Sequence, residues 1–146
     1  MRVFSRHTVL FVLIAGAALA ASTRVAPDRP VINFRLPDFT PEGHRSWLVR
    51  GSEARYANEG LVEIKELNLT VFTGRADDKV ETLILSPSAR LDIADRQVTG
   101  KESIRIINDR FEASGSDWRY DHANKKVSIA KNVRVTLHTQ LQDILK

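Results

Sequence analysis

The chain has 146 residues, enough for one ordinary domain and too few for two. Hydrophobic residues make up 42% and charged residues 27%, which permits a core under a solvated surface and excludes a collagenous or wholly disordered chain. The absence of Cys excludes a disulfide scaffold, a thiolate metal site and a cysteine nucleophile. Of the formal +4 charge, Arg2 and Arg6 supply two, and without them 20 basic residues face 18 acidic ones, a balance too even for a nucleic-acid surface.

Residues 1–21 read as an address. Arg2, Arg6 and His7 make a basic start, Val9 to Leu19 is unbroken apolar and small sequence, and Ala18-Leu19-Ala20 offers the small residues a signal peptidase reads. A retained membrane anchor is the competing reading. As a helix, Val9 to Ala21 would reach roughly 20 Å, short of a hydrocarbon core of about 30 Å. Either way the remainder is expected to lie outside the cytoplasm. Residues 22–37 follow as a linker interrupted by Pro27, Pro30 and Pro37, with room for a short edge strand from Val31 to Leu36.

From Ser46 onward, apolar residues recur at every second position, the period of a strand with one buried face. The pairs are Trp47 and Val49, Val62 and Ile64, Leu67 to Val71, Leu83 and Leu85, and Ile104 and Ile106. Phe111 and Ala113, Trp118 and Tyr120, Val127 and Ile129, and Val133 to Leu137 complete the series. Many are β-branched or aromatic, and Thr73-Gly74, Asn108-Asp109 and Asn124-Lys125 supply turn chemistry between them. Residues 38–140 are therefore expected to form an all-β domain, with a short tail at 141–146 whose pattern leaves a helical turn open.

The strands recur in blocks. Each block has an apolar strand, a small residue (Gly51, Ser86, Gly115), and a second strand starting three residues later at Ala54, Ala89 or Trp118. Two phrases repeat closely, Ala89-Arg90-Leu91-Asp92 and Trp118-Arg119-Tyr120-Asp121. Units that cannot bury an apolar face alone must stack, which predicts an elongated β structure with a continuous apolar interior and two open ends.

With the opening phrase from Gly43 to Tyr56 and the closing strand Lys131 to Thr136, this order of features resembles the LptC/LptA (OstA-like) family of periplasmic lipopolysaccharide-transport proteins. The likeness covers residues 36–137. The single short domain and the anchor-like start favour LptC; the Ala18-Leu19-Ala20 site favours LptA. The resemblance implies a single edge-open β jelly roll whose interior shelters lipid acyl chains. It also implies edge-to-edge docking with an LptA-like bridge protein, and delivery from an inner-membrane lipopolysaccharide ABC transporter.

Trp47, Val49, Ile64, Leu69, Leu83, Leu85, Ile104, Ile106, Phe111, Trp118, Tyr120, Ile129 and Val135 are then the candidate lipid-lining residues. Apolar burial at roughly 25 cal/mol per Å² is what such a surface offers an acyl chain, and an ordinary packed core is the competing role for each. Arg45, Arg50, Arg105, Arg110 and Arg134 are candidates for lipid phosphates or for a solvated face. Val31 to Leu36 and Val133 to Leu137 are the expected sheet edges, for docking by strand addition or simply protected by Pro30 and Pro37.

Catalysis is not expected. His7, His44, His122 and His138 lack metal-ligand spacing, Asp77-Asp78 and Asp92 to Asp95 lack the frame of a calcium loop, and no phosphate loop or nucleophile elbow occurs. No cofactor is implied. The alternatives are a secreted β sandwich that binds or hydrolyses polysaccharide, for which Trp47 and Trp118 would have to be exposed platforms, and a structural envelope protein.

Overall fold

The computed structural model describes residues 29–58 and 60–138. The expected signal or anchor at 1–21, the linker as far as residue 28 and the tail at 141–146 lie outside them. The described chain is all β, and among its residues no helix is long and apolar enough to cross a membrane. Seven strands follow in order: β1 Val31–Phe39, β2 Arg45–Asn58, β3 Leu61–Phe72, β4 Val80–Asp92, β5 Gln97–Ile107, β6 Phe111–Asp121 and β7 Lys126–Leu137. All are antiparallel to their neighbours in one sheet of order β1-β2-β3-β4-β5-β6-β7. The connectivity is thus a meander, with no Greek-key crossover, and β1 and β7 are the two open edges. The first strand begins inside the segment expected to be linker; Pro37 is accommodated because an edge strand has one side that owes no ladder hydrogen bond.

Short polar turns make the meander possible. Asn108 Oδ1 accepts from the backbone of Arg110 and Phe111, each at 2.9 Å, and Asp121 Oδ1 accepts from Asn124 N at 3.2 Å. Asp92 Oδ1 accepts from Asp95 N at 3.0 Å, and Asp77 Oδ1 accepts from Thr73 Oγ1 at 2.6 Å and Lys79 N at 3.2 Å. The acidic pairs of the sequence are turn fasteners. The second acid of the first pair, Asp78, holds Arg45 across the β3–β4 connection, with Arg45 Nε 2.7 Å from Oδ1.

The blocks of the repeat are not pairs of strands. Each is one long strand bent in the middle. The buried positions pass from Val49 to Ala54 in β2, Ile64 to Leu67 in β3, Ser86 to Ala89 in β4 and Ala113 to Trp118 in β6. In each case the parity switches, so a single strand imitates two. The ladders are interrupted at the same level in every strand, and Asn33, Glu66, Asp117 and Asn132 take positive φ there. From β4 to β7 the register also shifts at this level, and such bulges bend a strand and tighten its twist.

The small residues of the repeat sit at these bends. A Cβ on Gly51 would stand 2.4 Å from Ile64 Cγ2 and 2.9 Å from Lys65 O. One on Gly115 would stand 2.4 Å from Ile129 Cγ2 and 2.8 Å from Lys131 O. Ser86 places its hydroxyl 2.7 Å from Ser103 O, satisfying itself where the β4–β5 ladder opens.

Bending and twist fold the sheet over itself. Trp47 of β2 reaches the far side of the sheet, stacking on His122 with ring centroids 4.4 Å apart and lying 6.3 Å from Tyr120. Arg96, in the β4–β5 turn, pairs with Asp38 of β1 at 2.8 and 2.9 Å, and Lys125, in the β6–β7 turn, pairs with Glu81 of β4 at 2.9 Å. The core lies between the two halves.

Candidate functional site

The inner face has a closed middle. Trp47, Val49, Ile64, Leu69, Ile104, Trp118 and Tyr120 are all buried in one cluster, with Val49 and Leu69 wholly inaccessible. The expected continuous interior is therefore filled here by side chains, because the fold brings β2 against β6. A polar chain fastens the closure. Tyr120 Oη lies 2.9 Å from His122 Nδ1, and Ser46 Oγ bonds His122 Nε2 on the other side of the ring. A neutral imidazole has one donor and one acceptor nitrogen, and each hydroxyl can serve either.

Electrostatics keep this chain neutral. Burial pushes the Tyr120 hydroxyl well above its ordinary range, and the Glu81 and Asp121 carboxylates add to the effect. Burial also pushes His122 below its ordinary value, with Arg96 and Lys125 in the same sense and Asp38 and Asp121 opposing. The Ser46–His122 pair does not form a nucleophile and base. Its ring lies under Trp47, and the second nitrogen is held by a hydroxyl rather than a carboxylate. It ties the two halves of the sheet together.

Two clefts flank the closed middle. One, of about 990 Å³, has an apolar floor of Ile64, Ala89, Trp118 and Ile129. Its walls mix both signs of charge, Arg55, Lys65, Arg90, Lys101 and Arg119 with Glu53, Glu63, Glu102 and Asp117. The other, of about 760 Å³, has both a polar and an apolar side, the apolar side made by Val71, Val80, Ile106, Phe111, Ala113, Tyr120, Val127, Ile129, Val133 and Val135. Arg75, Lys79, Arg110 and Lys125 also line it, together with Glu81 and Asp109. Lys125 is paired with Glu81; Arg75, Lys79 and Arg110 make no ion pair among the described residues. This second cleft opens along β7, whose Val133, Val135 and Leu137 are 55%, 54% and 69% exposed.

The candidate residues of the sequence therefore divide. Ile106, Phe111, Tyr120, Ile129 and Val135 meet in the apolar cleft, and Ile64, Trp118 and Ile129 in the charged one. Trp47, Val49, Leu69 and Ile104 belong to the closed middle. Leu83 and Leu85 face the other way: Ile84, between them, is the one of the three that is buried. The run Leu83-Ile84-Leu85 is apolar throughout and carries no alternation, so only the pairing with Leu69 and Ile106 fixes its face.

Of the five candidate arginines, only Arg110 lies at the apolar cleft. Arg45 is held by Asp78 and stands 4.2 Å over the Phe72 ring; Arg105 pairs with Glu112 at 2.5 Å. Arg50 and Arg134 lie on the outer face. Sequence reasoning gave Arg75 and Lys79 no part in a lipid site, although both line the apolar cleft. Among the described residues no three His, Asp or Glu side chains gather as a metal site. Both tryptophans are buried, so neither forms an exposed platform for sugar.

The chain matches the family described as lipopolysaccharide-assembly, LptC-related, over residues 19–138. No curated protein matches it.

Proposed function

The chain belongs to the LptC-related lipopolysaccharide-assembly family, and from that premise we propose that it carries lipopolysaccharide by taking acyl chains into the apolar cleft beside β7. The family is one of transport and binding proteins rather than enzymes, which places the chain's role in lipopolysaccharide transport. The observation that carries the finer reading is the cleft itself. An apolar side open along one strand, with three cations at the wall that make no ion pair among the described residues, suits a ligand with hydrocarbon tails and an anionic head. Its volume lies in the range of ligand-holding clefts. Acyl chains leaving water for such a surface gain roughly 25 cal/mol per Å² of apolar area, and Arg75, Lys79 and Arg110 sit where lipid phosphates can be met.

In this reading the protein works in the periplasm. The segment at residues 1–21 either anchors it to the inner membrane or directs its export. The inner-membrane ABC transporter supplies the lipid, and an LptA-like bridge protein receives it. The open edges β1 and β7 are the surfaces for strand addition to these neighbours. The reading is tested by binding purified lipopolysaccharide to Phe111→Asp, with circular dichroism as the folding control. A folded variant that binds at least tenfold more weakly supports the cleft; a folded variant that binds unchanged overturns it.

A further inference from the structure

The outer face carries a second feature, independent of the cleft. Residues directly opposite one another in adjacent strands form a transverse row: Arg35, Arg50, Asn68, Leu85, Arg105, Ser114 and Arg134. Arg105 is neutralised by Glu112. At the β1 end of the row, Arg35 and Arg50 stand side by side with no ion pair to either among the described residues. Like charges directly opposite one another weaken a sheet. The Arg50 Nε–H is buried and has no hydrogen-bond partner among the described residues. Its Nη2 donates to Asn68 Oδ1 at 3.3 Å, which leaves the Asn68 amide nitrogen as a further donor on the same row.

Three adjacent strands therefore carry two guanidiniums and an amide nitrogen, with no carboxylate paired to either guanidinium among the described residues. A carboxylate has two acceptor oxygens for them, and a phosphoryl group has three or four. Arginine is the side chain suited to bidentate contact with such a group. We propose that Arg35, Arg50 and Asn68 form a phosphoryl-binding site on the outer face of the sheet, outside the apolar cleft. The next row, Pro37, Leu48, Thr70, Leu83 and Ile107, is largely apolar and runs alongside. That neighbour fits the phosphate of a lipid headgroup as well as a free phosphate ester.

The test follows the arginine Nε–Hε resonances of the full chain by NMR in neutral dodecylmaltoside micelles. The probes are inorganic phosphate and dihexanoylphosphatidylglycerol. The expected result is a saturable shift and slowed exchange of the Arg50 Nε–Hε, weakened at least tenfold in Arg35→Gln. Arg50→Lys keeps the charge, loses the fork and weakens binding in the same way. Similar affinity for both probes identifies a phosphate site, and affinity at least tenfold higher for the lipid identifies a headgroup site using the apolar row. Absence of a saturable shift with either probe overturns the proposal, as does a shift that Arg35→Gln leaves unchanged. Arg35 lies exposed on an edge strand, so its variant remains informative if Arg50→Lys fails to fold.

Discussion

Ala113 on β6 and Val135 on β7 are directly opposite one another on the same inner face, yet Ala113 is buried and Val135 is half exposed. A few residues along β6, Trp118 is buried between the two halves of the folded sheet, while the end of β7 has nothing over it. The same alternation in the sequence therefore marks two physical situations. In the closed middle, apolar side chains meet one another across the fold. Along β7 they meet solvent and a cleft. Periodicity reports which face a residue is on; only the path of the whole sheet decides whether that face is covered. An edge strand with exposed Val and Leu is a liability that proteins normally suppress, and keeping it is intelligible if a ligand or partner covers it.

The contrast is sharpest in the cost of truncation. Trp47→Ala removes a buried indole stacked on His122 and is expected to destabilise by about 3–5 kcal/mol, measured by urea unfolding. A loss near zero would mean that the middle is not closed in solution. Adding bulk at a bend is next. Gly115→Ala drives a methyl toward Ile129 and the backbone oxygen of Lys131, and is expected to cost about 1–3 kcal/mol in the same assay. If it is neutral, the bend is not tightly packed.

The His122 fastener adds a pH dependence. Its folded value lies below the 6.5 of an ordinary histidine, so the unfolded chain binds the proton more readily. Stability is therefore complete above about pH 6.5 and declines as pH falls from there toward the folded value. The carboxylates whose values are lowered, Glu53, Asp77, Asp78, Glu112 and Asp121, act in a separate window, near and below their ordinary range around pH 4. Melting wild type and His122→Gln at pH 7.5 and 5.5 checks the sign: the wild type loses stability on acidification and the variant loses less. An equal loss in both would assign the effect elsewhere. The smallest stability effect is expected at Val135→Ser, within about 0.5 kcal/mol, although lipopolysaccharide binding falls. A large stability loss there would erase the distinction between the covered and the bare face.

Much of this was legible in the sequence because the strands are amphipathic and the turns use Asn, Asp and Gly where turns need them. The two edges were legible too, since Val31 and Leu137 bound the pattern. The bends were visible only as a recurring Gly51, Ser86 and Gly115, because a parity switch at a bulge looks the same as the end of one strand and the start of another. The face of Leu83-Ile84-Leu85 was not readable, since an all-apolar triplet has no period. His122 gave no signal of its own: Tyr120 is two residues away, but Ser46 and Trp47 come from β2, which only the folded sheet brings to it. Arg75 and Lys79 were hidden for the same reason, since a cleft mouth is made by strand ends distant in the chain.

The account's central claim is that the inner face of β7 holds lipid while its outer face does not. Val135 and its neighbour Thr136 test this on one strand, since successive residues point to opposite faces. A photo-crosslinking side chain is placed at each position in turn, the full-length protein is exposed to lipopolysaccharide, and adducts are compared. The account predicts a lipid adduct from position 135 and little or none from 136. Equal adducts at both positions, or none at 135 in a folded protein, would contradict it.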